Sequence, residues 1–255
     1  MPFQAELRKS LALALLLPAL VLLGWEAGVR LAVLDPIFFP PPSTLIRTAL
    51  RLSASGDLPR ATAATLTRAL LGFLPGALVG IALGIALGVS VICRRMLEPS
   101  MAGFYSMPKL ALLPIFMLIL GAGETARLAL IALGTMLAMT IHVFDGVRAI
   151  DVGYVEMARN YGATPWMLLR KVHLPGALPQ IFTGTRVTFG RALVISISVE
   201  LVTGSPGLGN MIWLASQTFS TERLYVSVAT VGLLGLLSQT TLRLLEKRVI
   251  RWRIR

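Results

Sequence analysis

The chain is expected to be an all-α, polytopic membrane protein with about six transmembrane helices. Its mean hydropathy is +0.77, a value that soluble domains of 255 residues rarely reach. Hydrophobic residues make up 55% of the sequence and charged residues only 14%. The charges also collect in short clusters between apolar runs long enough to span a bilayer core of about 30 Å, which takes about 20 helical residues. A net charge of +12 would suit nucleic acid, but the Lys and Arg residues form no basic face interleaved with aromatics. The single cysteine, Cys93, excludes an internal disulfide framework, and His142 and His173 lie far apart, so no metal site is expected.

The first span is expected from about Leu11 to Leu34. It resembles a signal peptide after Arg8 and Lys9, but Trp25-Glu26 stands where a small-residue cleavage site would be needed, so it reads as uncleaved. Glu26 and Arg30 are four apart and can pair on one face. Pro36 and the run Pro40, Pro41, Pro42 end the span, because proline lacks the amide donor and crowds the preceding turn. Ser43 is then placed to cap a short amphipathic helix in which Leu45, Ile46, Ala49 and Leu50 oppose Arg47 and Arg51. A further helix begins near Asp57 and enters the membrane as the uncharged run Ala69 to Cys93.

In that second span Gly72, Gly76, Gly80, Gly84 and Gly88 recur every fourth residue and form one glycine face, which lets a neighbouring backbone approach closely. The third span, about Pro99 to Leu120, contains Pro99, Pro108, Lys109 and Pro114 and should be bent or unwound near its middle, as broken helices beside a cavity are. The fourth runs from about Thr125 to Phe144. The fifth, about Ala177 to Val202, carries Arg186, Arg191 and Glu200, and the sixth runs from about Leu224 to Leu242. Six spans place both ends on one side. Arg8, Lys9, Arg94, Arg95, Arg148, Arg159, Arg170, Lys171 and the C-terminal cluster mark that side as cytoplasmic. Arg47, Arg51 and Arg60 are the exception, since they fall outside; the 121–124 turn and the 203–222 loop hold no Lys or Arg. The organisation is therefore 1–36 for the first span, 37–66 for an external amphipathic segment, 67–248 for a core, and 249–255 for a basic cytoplasmic tail.

The cytoplasmic stretch 145–175 is the informative one. A helix from about Val152 should end at Gly162, which tolerates the left-handed backbone of a helix terminus. Thr164 and Pro165 suit the cap and first position of another helix, and Pro175 should prevent that helix from continuing into the membrane span. The product is a compact helix-turn-helix outside the bilayer, with Glu156 and Arg159 on one side, shaped to dock in a groove on another protein.

Glu156-Met157-Ala158, then Gly162, then Val172-His173-Leu174-Pro175 resembles the EAA loop of bacterial importer permeases, with the spacing matched throughout. Met157 and Val172 replace Ala and Ile and remain apolar. The resemblance extends over most of residues 38–252: Phe39-Pro40-Pro41-Pro42-Ser43, Met107-Pro108-Lys109 with Pro114, Gly121-Ala122-Gly123-Glu124, Leu174-Pro175-Gly176-Ala177-Leu178-Pro179, Glu200-Leu201 and Gly207-Leu208-Gly209 look like the nitrate/sulfonate/taurine-type permeases. Where those permeases often carry an acid near the last span, this chain has Gln239.

The resemblance implies the type I ATP-binding-cassette importer permease fold, in a bacterial inner membrane. It implies as partners a second permease subunit in a homodimer, two ATPase subunits, a soluble or lipid-anchored substrate-binding protein and membrane lipid. It also implies that the loop residues Glu156, Ala158, Arg159, Gly162, Ala163, Leu174 and Pro175 form the ATPase-coupling element, with Glu156 facing the ATPase. The sequence has no Gly-rich phosphate loop with Lys-Ser/Thr, so the chain is expected to be non-catalytic, with ATP and magnesium held by the partner ATPase.

Candidate translocation-pathway residues are Lys109, Pro108, Pro114, Arg186, Arg191 and Glu200. An unpaired charge in a span costs roughly 3 kcal/mol or more, so each ionisable member needs a partner, water or an interface. Structural pairing, snorkelling or a helix-end contact competes with substrate contact at every one. Three cations against one acid point to an anionic solute. The resemblance implies one of the sulfonate, taurine, nitrate or bicarbonate kind, with riboflavin and pyrimidine precursors as further classes among which the binding protein chooses. The alternative is a secondary transporter or channel without an ATPase, which would leave the docking loop idle; inverted repeats that would favour it are not apparent. A membrane-embedded enzyme is disfavoured because no Ser/His, paired-carboxylate or metal-ligand constellation stands out.

Overall fold

A computed structural model describes residues 2–250, without the side chains of residues 2–15, Pro99 and Ala102. The side chains of Arg8, Lys9 and Pro99 and the tail residues Arg251, Arg253 and Arg255 lie outside the described residues. Among those described, every regular element is helical: α1 (Pro2–Arg30), α2 (Pro42–Ala54), α3 (Asp57–Val89), α4 (Val91–Ser106), α5 (Leu113–Leu120), α6 (Glu124–Arg148), α7 (Val152–Asn160), α8 (Pro165–Leu168), α9 (Leu174–Thr203), α10 (Leu208–Gln217) and α11 (Thr221–Val249). Three of them, α3, α6 and α11, are each long and apolar enough to cross a membrane. A fourth span results if 165–203 and α10, bent by 44° at their junction, count as one. The two other expected spans would fall on α1 and the interrupted α4–α5 unit, neither of which is among the helices long and apolar enough to cross a membrane in the described residues. Leu17, Leu20, Val21, Leu23, Leu118 and Leu237 are all exposed, the arrangement of helices whose apolar faces meet lipid or another subunit.

The centre of the bundle is the packing of α3 on α6, with α9 laid against both. The α3 glycines meet α6 in steady register. A Cβ at Gly72 would lie 2.6 Å from Ile131, at Gly80 2.8 Å from Met139, at Gly84 2.6 Å from Val143 and at Gly88 2.6 Å from Val147, while at Gly76 it would strike the Ala132 carbonyl. Residue numbers rise together on the two helices, so α3 and α6 run parallel. The α4–α5 unit brings the chain back between them. In α9 the order reverses: Gly176 touches Ile150, Gly184 touches His142, and Phe189 stacks edge-on against Phe73 at 5.2 Å. Close approach of backbones is what the lipid-facing bundle gains from glycine, since burial in lipid offers no hydrophobic gain for association.

Several boundaries differ from those expected. The first span ends at Arg30, short of the prolines, where Ala32 turns left-handed (φ 57°) and the amides of Val33 and Leu34 both donate to the Gly28 carbonyl. Ser43 does not cap α2. Pro42 occupies the first turn with φ already set for a helix, and the Ser43 amide and hydroxyl donate to Glu26 at 3.0 and 2.8 Å, tying α2 to α1. Glu26 is at the same time bonded to Arg30 at 2.8 Å. The second span stops at Val89 rather than Cys93, because Ser90 is extended and its hydroxyl accepts the Cys93 amide, starting α4; Arg94 and Arg95 therefore sit within a helix. The break in the third span falls at Met107-Pro108, followed by a 3-10 turn over Lys109–Leu112 and then α5 with Pro114 in its first turn. The 203–222 segment, expected to be a loop, contains α10.

Pro175 also departs from expectation, because it does not stop the helix. Between α8 and α9 the chain widens into a π turn over Leu169–His173, and the Leu174 amide donates to the Leu169 carbonyl five residues back. A wider turn accommodates the proline, which brings no amide donor and a bulky ring. The helix thus passes from the loop into the bundle without a break in direction large enough to separate the two.

Candidate functional site

The 145–175 loop is built from two caps and a terminator. Asp151 Oδ1 accepts the Gly153 amide at 2.8 Å and starts α7. At its end the Gly162 amide donates to Arg159 O at 2.9 Å and the Ala163 amide to Ala158 O at 3.0 Å, with Gly162 at φ +77°. These paired bonds form the Schellman motif, which uses a left-handed residue to satisfy the last carbonyls of a helix. Ala158, Gly162 and Ala163 therefore act as one structural unit, and a side chain at Gly162 would strain it. Thr164 Oγ1 then accepts the Met167 amide at 3.3 Å, and Pro165 takes the first position of α8.

Glu156 and Arg159 are exposed on α7. Around them the loop exposes Tyr154, Met157, Tyr161 (87%) and Trp166, and a cleft of about 730 Å³ opens between α7 and the start of α9, lined in part by Tyr154, Met157, Ala158, Tyr161, Lys171 and Pro175. Bare aromatics and a methionine beside an acid and a base make a surface suited to another protein, not to water alone. Leu174 is partly exposed at the root of the loop. Burial, with Arg159 adding a like charge, holds the His173 imidazole below its ordinary pKa, so it stays neutral near pH 7.

The charged residues of the spans separate into two groups. Glu200 is fully buried. It takes the Arg68 guanidinium at 2.5 Å, the Thr65 hydroxyl at 2.8 Å, the Ser196 hydroxyl at 3.3 Å and the Gly209 amide at 2.9 Å. Arg68 also reaches Glu124 at 2.5 Å and the Pro206 carbonyl at 3.1 Å, and Glu124 is shared with Arg127. Thr65 in turn accepts the Leu208 amide at 2.9 Å. The hub thus binds α3, α6 and α9 to the N-terminus of α10, where first-turn amides and the helix dipole favour an anion. Gly207 and Gly209 allow the approach, since a Cβ at either would collide with Glu200. Enclosed in this way, Glu200 offers no surface to a passage. Arg186 is likewise engaged, with Glu246 of α11 at 3.0 Å.

Lys109 and Arg191 form the second group. Lys109 donates to the Tyr105 and Met107 carbonyls, the orphaned acceptors at the end of α4, and its ammonium lies 5.0 Å from the Tyr105 ring. Arg191, exposed, donates to the Tyr105 hydroxyl at 2.5 Å and stands 5.9 Å from the ring centre. Among the described residues neither has a carboxylate within 4.0 Å. Pro108 brings them together, because the break it imposes turns Lys109 back over α4. Pro114 lies exposed in the first turn of α5. Sequence reasoning misses Arg68, Glu246 and Tyr105. Arg68 directly precedes the uncharged run and reads as a flank; its partners are 56 and 132 residues away. Among the described residues no cluster of His, Cys, Asp or Glu is suited to a metal.

Residues 76–251 match the family model described as binding-protein-dependent transport system inner membrane component. The chain is 38% identical to the putative aliphatic sulfonates transport permease protein SsuC of Escherichia coli (strain K12) over 236 residues, 92% of this chain and 90% of that protein. It is 37% identical to the riboflavin transport system permease protein RibX of Chloroflexus aurantiacus (91% of this chain, 87% of that one) and 30% identical to the taurine transport system permease protein TauC of E. coli (92% and 87%). Among solved structures, an inward-facing MetNI methionine ABC transporter superposes with a TM-score of 0.67 at 23% identity, covering 72% of this chain and 92% of that one. An amino acid ABC transporter solved with histidines superposes with a TM-score of 0.66 at 22% identity, covering 78% and 96%.

Proposed function

This chain belongs to the binding-protein-dependent transport system inner membrane component family, and we propose that it is half of a homodimeric permease that passes a sulfonate-type organic anion inward, driven by two ATPase subunits docked on the 145–175 loop. The importer permease role follows from the family; the function of the loop, the anion and the pairing are proposals. The observation that carries the coupling role is the exposed, rigidly capped loop running through the π turn into α9. A loop end that merely dangled could not transmit force. A continuous helix moves α9 when the partner shifts α8, and α9 carries both Arg191 and the hub acid Glu200.

In this reading the loop end is cytoplasmic and the hub end faces outward, where the binding protein delivers its solute. Lys109 and Arg191 attract the anion without closing on it, because both already hold neutral oxygens and neither is neutralised by an acid. ATP and magnesium reside on the ATPase. The similarity to permeases named for aliphatic sulfonates and taurine supports a sulfonate over a cation, while the riboflavin permease, at comparable identity, extends that similarity to a second solute class. The test is uptake of labelled taurine and ethanesulfonate into proteoliposomes holding the permease, ATPase and binding protein. Accumulation that requires enclosed ATP and is outcompeted by sulfonates, not by choline, is the expected result; accumulation without ATP would support an uncoupled carrier instead.

A further inference from the structure

At the end of the molecule remote from the docking loop a cleft of about 360 Å³ is bounded by Asp57, Arg60, Pro206, Gly207, Asn210 and Arg223. We propose that this cleft is a socket for acidic side chains of the soluble binding protein, and that docking there acts on α10 through the buried hub. The proposal rests on the importer reading above, which supplies the partner.

Arg60 comes from α3 and Arg223 from α11, so two separate helices bring guanidinium groups to one opening. Both are exposed, and among the described residues neither has a carboxylate within 4.0 Å. The one acid of the cleft, Asp57, is occupied locally: it lies in the first turn of α3, where the helix dipole favours it, and accepts the Ser55 hydroxyl at 3.0 Å. The opening therefore retains an excess of positive charge in the planar form that best fits a carboxylate. Its position adds a second argument. Lys and Arg are disfavoured on the translocated side of a membrane protein, and the external arginines are the one departure from that pattern in this chain. Of these, Arg51 is paired with Glu222 at 3.8 Å, and a surface that must attract an acidic partner accounts for Arg60.

The wall of the cleft is also mechanically connected. The Pro206 carbonyl accepts from Arg68, Arg68 pairs with Glu200, and Glu200 holds the Gly209 amide. The Pro206-Gly207 segment is thus tied to α3, α6 and α9 through the buried Arg68 guanidinium and the carboxylates that hold it. A partner seated in the cleft pushes on the same backbone that the hub fixes. A flat docking face elsewhere on this end would lack that connection.

The experiment uses the reconstituted complete transporter, with ATP hydrolysis measured as its binding protein is titrated. In the Arg60→Gln/Arg223→Gln variant the binding-protein concentration for half-maximal stimulation should rise about ten-fold and lose much of its salt dependence, with basal hydrolysis and thermal midpoint unchanged. On the wild-type transporter, which needs no variant to fold, an oligoglutamate peptide should compete with the binding protein and an oligolysine peptide should not. An unchanged half-maximal concentration and salt response in the variant would overturn the proposal. So would peptide competition that persists undiminished in it. If the wild-type transporter hydrolyses ATP but no binding protein stimulates it, the importer reading has failed and the socket falls with it, which separates the two failures.

Discussion

Replacing Arg68 by methionine would keep most of the side-chain volume and leave the Glu200 carboxylate buried without its cation. Breaking a buried pair from one side costs about 3–5 kcal/mol, so Arg68→Met and Glu200→Leu should each sharply lower the yield of folded protein in detergent. The double variant should recover part of the loss, because the uncompensated charge is gone; thermal unfolding followed by size-exclusion chromatography checks this. Lys109→Met should behave differently. Lys109 has no carboxylate to orphan and caps only the end of α4, a contact on the scale of about 1 kcal/mol, so the thermal midpoint should barely move while anion uptake falls about ten-fold. A large fall in midpoint, or unchanged uptake, would remove Lys109 from the pathway. The contrast marks what a sequence can and cannot reveal about single residues. Lys109 is visible because it interrupts an apolar run beside a proline. Arg68 is not, because its meaning depends on acids on α6 and α9 that only the fold brings within reach.

For the helices, the glycine face of α3 is legible because a four-residue glycine period in an uncharged run suits close helix packing and little else, and the structure adds the partner, α6, and the parallel register. Gly80→Leu would drive a side chain into Met136 and Met139, whereas Ala82 lines an open apolar cleft. Overpacking of this kind costs about 1–3 kcal/mol or more, so the folded yield of Gly80→Leu should fall well below that of Ala82→Leu; equal yields would contradict close α3–α6 packing. The break at Pro108 is legible for a similar reason. Pro175 misleads because proline in a sequence reads as the end of a helix, when a π turn can absorb it and keep the axis running. Helix α10 is hidden because ten residues are too short for a span and carry no charge to set a period. Its place is held by Glu200 and by Thr65, 143 residues from the Leu208 amide that it accepts, and not by its own sequence.

At the scale of the whole molecule, the bundle leaves much of its apolar surface uncovered. The most apolar stretch of α11 is only 6% buried, and Leu233, Leu236 and Leu237 are bare, which leaves a broad face for lipid or a second subunit. At one end lies the exposed 145–175 loop and at the other the buried hub, and α9 runs between them as one helix. The proposed function stands or falls on force entering at the loop and leaving as movement of that bundle. Glu156→Lys puts a cation where the ATPase groove is expected to present one, without touching any buried contact. The decisive quantity is the ratio of solute accumulated to ATP hydrolysed in proteoliposomes of the complete transporter carrying Glu156→Lys. If the loop transmits force, uptake falls at least about ten-fold while membrane level and thermal midpoint match wild type. Uptake and ATP coupling at wild-type values, with the ATPase still co-purifying in full yield, would show that force does not pass through Glu156 and its loop.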